Sequence, residues 1–222
     1  QRQMCIRDTT KVAGPLDNIS IHLEKHIPVG AGLGGGSSDA AATIKGINIL
    51  FDLKLSEERM NAIAVLLGAD VPFFLNGGCQ HGTGIGDQLS AATVPAIGAI
   101  LLIIPPTKVS TAWAYQTVKN ALPGGFGTGN FFAPFEAHAE WDNLGALFEN
   151  DFESLVFQTY PEIGDLKRQL ISAGAKFASL SGSGSTVFGI FEDPADAELA
   201  QQEFPSFQSF IAYPVSDLSE LS

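Results

Sequence analysis

Five of the seven residues between Gly30 and Gly36 are glycine, inside the run Pro28-Val29-Gly30-Ala31-Gly32-Leu33-Gly34-Gly35-Gly36-Ser37-Ser38-Asp39. Residues of these types in this order suit an anion. The first N–H groups of a helix have no partner of their own and carry the positive end of its dipole. Glycines let an anion reach the main chain and permit the positive φ angles that turn successive N–H groups inward. Ser37 and Ser38 add hydroxyls, so the run can hold a polyphosphate without a lysine of its own. Lys25 and His26, just ahead of it, are further candidates for nucleotide contact.

Two other readings share these residues. A plain glycine turn with a Ser or Asp cap is one, although so many glycines are costly unless something approaches the backbone. The other is a dinucleotide fingerprint: Gly30, Gly32 and Gly35 satisfy G-x-G-x-x-G, and Asp52 lies near the distance for a ribose carboxylate. Against it, Pro28 interrupts the strand that should run into the first glycine, and no alternating β-α-β pattern follows. A Walker A loop is excluded because no Gly-Lys-Ser/Thr closes the run.

Three more places carry candidate chemistry. Asp70, in Gly68-Ala69-Asp70-Val71-Pro72-Phe73-Phe74, reads equally as a general base or as the cap of a short turn. Its apolar neighbours are expected to limit water access and move its pKa toward working pH. Thr111 and Tyr115 stand one helical turn apart and share a face, where Tyr115 serves either stacking or ordinary packing. Ser181-Gly182-Ser183-Gly184-Ser185 is a glycine–serine turn, most simply the tip of a hairpin.

These residues need elements to position them. The alternation of Ile19-Ser20-Ile21-His22-Leu23 predicts a strand before the loop. After the loop a helix should open at Ser37-Ser38-Asp39, with Ala40, Ile44, Ile47 and Phe51 on one face. Ser56 should cap a second helix with Met60, Ile63, Ala64 and Leu67 as its stripe and Gly68 as its stop. Glycines from Gly77 to Gly86 punctuate short strands. Ile97 to Ile104 reads as a buried strand, near which the domain boundary should fall. Helices are expected over about 112–122, 143–157 (stripe Leu144, Leu147, Phe148, Phe152, Leu155) and 162–173 (stripe Leu166, Leu170, Ile171). A long aromatic loop over 123–134 precedes the second of these. Strands flank the Ser181–Ser185 turn, a helix runs from Pro194 to Phe204, and a strand from Phe207 to Tyr213 closes the order β-α-(α-α)-β-β-α-β, which is ferredoxin-like.

Composition limits the partners. Lys plus Arg is 12 against 24 Asp plus Glu, a formal net charge of −12. That balance, with no basic cluster, argues against nucleic acid or an anionic membrane surface. Cys5 and Cys79 are the only cysteines, and the four histidines are scattered, so no metal site is expected from them. No apolar run is long enough to span a bilayer and no signal peptide is visible, so the default location is the cytoplasm.

Pro28 to Asp39, Leu67 to Phe74 and Ser181 to Ser185, taken in order, resemble motifs of the GHMP kinases, and the full string from Ile27 to Thr43 is similar to the branch acting on a cytidine-diphosphate-linked methylerythritol. The resemblance covers roughly residues 18–213 and implies an α+β, two-domain fold. It comprises a partial ribosomal-protein-S5-like N-terminal domain over 18–97 that binds ATP and a ferredoxin-like C-terminal domain over 98–222. It further implies ATP and Mg²⁺, with phosphates held by Pro28, Gly30, Ala31, Gly32, Leu33, Gly34, Gly35, Gly36, Ser37 and Ser38. Asp70 corresponds to the family's catalytic aspartate, and Thr111 and Tyr115 to the border of a cytidine pocket. Gly182, Ser183, Gly184 and Ser185 correspond to a turn that braces the loop. Another small-molecule acceptor, or nucleotide binding without turnover, stays open on the residues alone. Residues 1–17 show no clear period and are expected to be a sequence scar or misassigned start. The family's first strands and a lysine-bearing motif have no match, so residues 1–222 alone are expected to leave an open sheet edge at Ile19–Leu23, bind ATP weakly and turn over negligibly.

Overall fold

The computed structural model describes residues 19–84, 86, 88–92, 97–121 and 148–215. The expectations for residues 1–17, the 123–134 loop and a helix start at Asn143 lie outside these residues. The chain divides into two compact units. One holds the described residues of Gln1–Val29 and Gly34–Thr93, the other those of Gly30–Leu33 and Val94–Val215. The glycine run therefore passes from one unit into the other and back.

In the first unit, α1 (Gly35–Leu50) buries Ala40, Ala41, Ile44 and Ile47. Ala40, Ala41 and Ile44 pack with Ile63 and Ala64 of α2 (Glu57–Leu67) and Val71 and Leu75 of α3 (Val71–Asn76). Of the stripe expected on α1, Ala40, Ile44 and Ile47 are buried, while Phe51 falls past the helix as its C-cap and stays half-buried; Met60, Leu67 and Phe74 pack at the margin of the cluster. Ser56 caps α2, its hydroxyl accepting from the Arg59 amide at 3.3 Å. The connection between α1 and α2 is held by Asn48, whose Oδ1 accepts from the Leu55 amide at 2.9 Å. Pro72 sits in the first turn of α3, where its missing N–H costs nothing. A hairpin follows, β1 (Gln80–Thr83) against β2 (Gln88–Ala91), antiparallel with Gly82 opposite Leu89.

Two expectations fail here. Ile19–Leu23 forms no strand and belongs to neither sheet. Alternation marks a face, but an extended segment becomes a strand only by pairing its backbone groups with a neighbour. The helix after the loop opens at Gly35 rather than at Ser37, with Gly34 left-handed ahead of it. Ser37 and Ser38 consequently lie inside the first turn, and both amides donate to the Gly34 carbonyl at 2.9 Å.

The second unit is built on a four-stranded antiparallel sheet in the order β4-β5-β3-β6 (Phe177–Leu180, Val187–Phe191, Ala99–Ile104, Gln208–Ala212). That order and the connecting helices make it ferredoxin-like, with two helices inserted among the described residues. Period two divides β3 between two faces. Ala99, Leu101 and Ile103 point into the main core with Val187 and Phe191. That core is completed by α4 (Thr111–Ala121), α5 (Glu153–Thr159), α6 (Pro161–Ser172) and α7 (Pro194–Gln201), through residues such as Ala114, Val156, Leu166 and Ala200. Ile100 turns to the opposite face, against Phe177, Phe188 and Ile190. Helix α5 begins at Glu153, so Asn150 stands in an irregular connection; in α6, Ile171 is 47% exposed and Ile163 takes the buried place expected for it. Asp193 caps α7 by accepting from the Ala195 amide at 2.8 Å, and that helix stops at Gln201, short of Phe204.

Candidate functional site

The glycine run takes its shape from three left-handed residues, Gly30 (φ 74), Gly32 (φ 79) and Gly34 (φ 64), alternating with Ala31 and Leu33. Left-handed residues alternating with ordinary ones are the backbone pattern from which anion-binding nests are built. At its end the first amides of α1, those of Gly35 and Gly36, have no carbonyl one turn back to receive them. A 16-residue helix stands behind these donors with its positive end forward. Since the Ser37 and Ser38 amides are engaged by Gly34, these two residues offer hydroxyls rather than N–H groups.

The first unit supports its part of the loop by close packing. A Cβ on Gly34 would lie 2.6 Å from Cζ of Phe74, so the α3 ring occupies the space a side chain would need. Lys25 forms an ion pair and hydrogen bond with Asp39, and its Nζ lies 3.7 Å from where a Gly35 Cβ would stand. It thus places a positive charge beside the first turn of α1. His26 instead faces solvent with Glu24 Oε1 3.5 Å away, apart from this group. Asp70 occupies the N-cap position of α3, yet its side chain makes no capping hydrogen bond, and it is exposed. The capping role open to it in the sequence is not used. The expected exclusion of water by Val71, Pro72 and Phe73 does not occur either, because Val71 and Pro72 are buried in the core while Asp70 itself is exposed.

The second unit brings together four of the sequence-derived pieces. Ser181 Oγ donates to the Gly32 carbonyl at 2.8 Å, and the Thr186 amide donates to the Ala31 carbonyl at 3.2 Å. The Gly184 amide closes the turn on the Ser181 carbonyl at 2.9 Å. A Cβ on Gly32 would overlap that same Ser181 carbonyl oxygen and come within 3.0 Å of the Gly184 oxygen. Ser183 Oγ donates to Thr111 Oγ1 at 3.3 Å, which places the first residue of α4 beside the turn. Ser183, Gly184 and Ser185 are buried while Gly182 is exposed. Tyr115 is half exposed and meets Phe152 edge-on, centroids 4.9 Å apart.

Asn150 escaped the sequence reading. Its Nδ2 donates to the carbonyls of Leu180 and Gly182, both at 2.8 Å, and its Oδ1 accepts from the Phe152 amide at 2.9 Å. Glu153 was read only as part of a helix, yet its Oε1 accepts from the Ser179 hydroxyl and the Leu180 amide at 2.9 Å each. No local pattern announces partners some 30 residues away.

The dinucleotide alternative is excluded by position. Asp52 follows the C-terminal end of α1, paired with Lys54 at 3.4 Å. A helix of 16 residues puts it ~24 Å from the loop, beyond any ribose whose phosphates the loop holds. Among the described residues no three His, Cys, Asp or Glu side chains gather as a metal cage, and no helix is long and apolar enough to cross a membrane.

Comparison with known proteins agrees with the loop and the sheet. The family model described as the GHMP kinases N terminal domain matches residues 3–78, and that of the GHMP kinases C terminal matches residues 135–209. The 4-diphosphocytidyl-2-C-methyl-D-erythritol kinase of Chloroherpeton thalassium is 40% identical over 217 residues, covering 91% of this chain and 74% of the relative. Its namesake from Geobacter sulfurreducens is 43% identical over 197 residues, 89% of this chain and 68% of the relative. A crystal structure of 4-(cytidine 5'-diphospho)-2C-methyl-D-erythritol kinase superposes with a TM-score of 0.74 at 29% identity, covering 94% of this chain and 76% of that one.

Proposed function

The chain belongs to the GHMP kinases, and from that premise we propose that it transfers the γ-phosphoryl group of ATP to the 2-hydroxyl of 4-diphosphocytidyl-2-C-methyl-D-erythritol, a step of non-mevalonate isoprenoid precursor synthesis. The observation that carries this reading is that the sequence shared with kinases named for that acceptor runs through both units.

Phosphoryl transfer asks mostly for positioning and for stabilisation of charge. In the proposal, the phosphates lie in the concavity of Gly30 to Gly34 and accept from the amides of Gly35 and Gly36. Pro28 leads the chain into that loop. Ser37 and Ser38 contribute hydroxyls, and Lys25 adds positive charge beside the same turn. His26 is left out of the contact set, since it turns to solvent. Asp70 accepts or orients the proton of the attacking hydroxyl; its carboxylate, spared from capping, is available for this. Thr111 and Tyr115 receive the cytidine, and the turn from Gly182 to Ser185 braces the loop.

The Ser37 and Ser38 hydroxyls in the first turn of α1, and the Asp39 carboxylate just after it, which also pairs with Lys25, are hard oxygen donors of the kind of which Mg²⁺ takes one or two beside phosphate oxygens and water. When bound, Mg²⁺ supplies neutralisation of the phosphate charge. The setting proposed is the cytoplasm. Calorimetric titration of the protein, expressed from its complete reading frame, with ATP and separately with NAD tests the nucleotide assignment. ATP should bind and NAD should not; the reverse would sink it.

A further inference from the structure

Nothing in the reaction assigned above uses Asn150, yet it makes three hydrogen bonds through one short side chain. Two of them are donated to carbonyls on either side of Ser181, the residue whose hydroxyl holds the Gly32 carbonyl. Glu153 reinforces the same stretch from the next turn of chain, accepting from Ser179 and Leu180 while its Oε2 pairs with Lys167 Nζ at 2.6 Å. The backbone from Ser179 to Gly182 is thereby tied on its α5 side, and its Ser181 side chain reaches the glycine run. Carbonyl oxygens accept from many donors, but a single primary amide with both hydrogens committed to carbonyls two residues apart fixes the peptide planes between them.

We infer that Asn150 is a positioning residue for the phosphate loop: its amide sets the orientation of Ser181, and through the Ser181–Gly32 hydrogen bond it fixes the first half of the loop in the anion-binding shape. It touches no substrate in this scheme and acts only through Ser181. The inference rests on the reading of Gly30–Ser38 as the ATP-phosphate loop, and its test separates the two.

Asn150→Ala removes all three hydrogen bonds. Asn150→Asp keeps the acceptor for Phe152 and loses both donors, so it distinguishes bracing of the turn from capping of α5. Ser181→Ala removes only the bond to Gly32. Each is expected to raise the Kd for ATP about tenfold, the loss expected for one or two hydrogen bonds that hold a binding loop in shape. Combined, Asn150→Asp and Ser181→Ala should raise it far less than the product of the single effects, because both cut one chain of contacts. Amide hydrogen exchange of the peptide covering Gly30–Leu33, measured without nucleotide, should quicken in the Asn150 variants while β3 keeps its protection. Asn150→Ser, the smallest disturbance, should show the same quickening and serves if the other variants fold poorly. Restoration of wild-type affinity and exchange in Asn150→Asp, or strictly multiplicative effects in the double variant, would overturn the inference. If the unaltered protein binds no ATP, the nucleotide reading fails, and the exchange measurement still decides whether Asn150 holds the loop.

Discussion

A methyl group added at Gly32 probes the place where loop and turn meet. Gly32 has φ 79, and its Cβ would overlap the Ser181 carbonyl oxygen with the Gly184 oxygen 3.0 Å away. A left-handed backbone costs a residue other than glycine roughly 1–2 kcal/mol. Forcing a methyl into occupied space adds roughly 1–3 kcal/mol, and here the obstacle is backbone, which cannot swing aside as a side-chain end would. Gly32→Ala should therefore lose about 2–5 kcal/mol. Gly30→Ala is the matched control: φ is 74, but nothing lies within 4 Å of its Cβ, so only the backbone cost of about 1–2 kcal/mol remains. Urea unfolding followed by circular dichroism gives both losses, and an ATP titration follows the loop itself. Gly32→Ala should be worse in both assays, and its affinity should fall further than Gly30→Ala even where it remains folded. Equal losses for the two substitutions would refute the close packing of Gly32 on the Ser181–Gly184 turn.

Asp70→Asn should lower turnover by about 10²–10⁴-fold as expected for loss of a general base, while ATP affinity and unfolding free energy stay close to wild type because the side chain caps nothing; a large loss of stability would return Asp70 to a structural role. Tyr115→Ala should raise KM for the cytidine substrate roughly tenfold, since base–aromatic stacking contributes roughly 1–3 kcal/mol, with Tyr115→Phe mild and ATP binding unchanged. An unaltered KM in the Ala variant would leave Tyr115 as the packing partner of Phe152. Partial burial pushes the Cys79 thiol above its ordinary value although the residue reaches solvent, so alkylation by iodoacetamide should be slow at neutral pH and quicken as pH rises; fast labelling at pH 7 would contradict this.

Local chemistry made much of this legible. The α1 stripe Ala40, Ile44, Ile47, the Ser56 cap and the strand–turn–strand around Ser181–Ser185 follow from periodicity and turn residues, and all three are seen. The ferredoxin-like order of the second unit follows from the sequence of its elements, which leaves few un-knotted ways to arrange them. What could not be read depends on partners distant in sequence. Ile19–Leu23 alternates like a strand, but among the described residues no backbone pairs with it. Gly35 and Gly36 are poor helix formers, so the first turn of α1 looked like loop; Ile27 lies so close to Gly35 that an added Cβ would come within 3.0 Å of it, a proximity local propensity does not reveal. The exposure of Asp70 follows from Val71 and Pro72 turning into the core, a direction the string of apolar neighbours does not reveal. Asn150 has no spacing signature at all, since its contacts lie 30 and 32 residues away.

The central claim concerns the acceptor, and product identification tests it most directly. The protein, expressed from its complete reading frame, is incubated with Mg²⁺-ATP and 4-diphosphocytidyl-2-C-methyl-D-erythritol, with homoserine and mevalonate offered separately under the same conditions. The account predicts ADP release with the cytidine substrate alone, together with a new phosphomonoester signal in the ³¹P spectrum whose lack of splitting by a vicinal proton places it on the tertiary 2-hydroxyl. Phosphorylation of homoserine or mevalonate in its place, or ATP bound without any acceptor being phosphorylated, would contradict it.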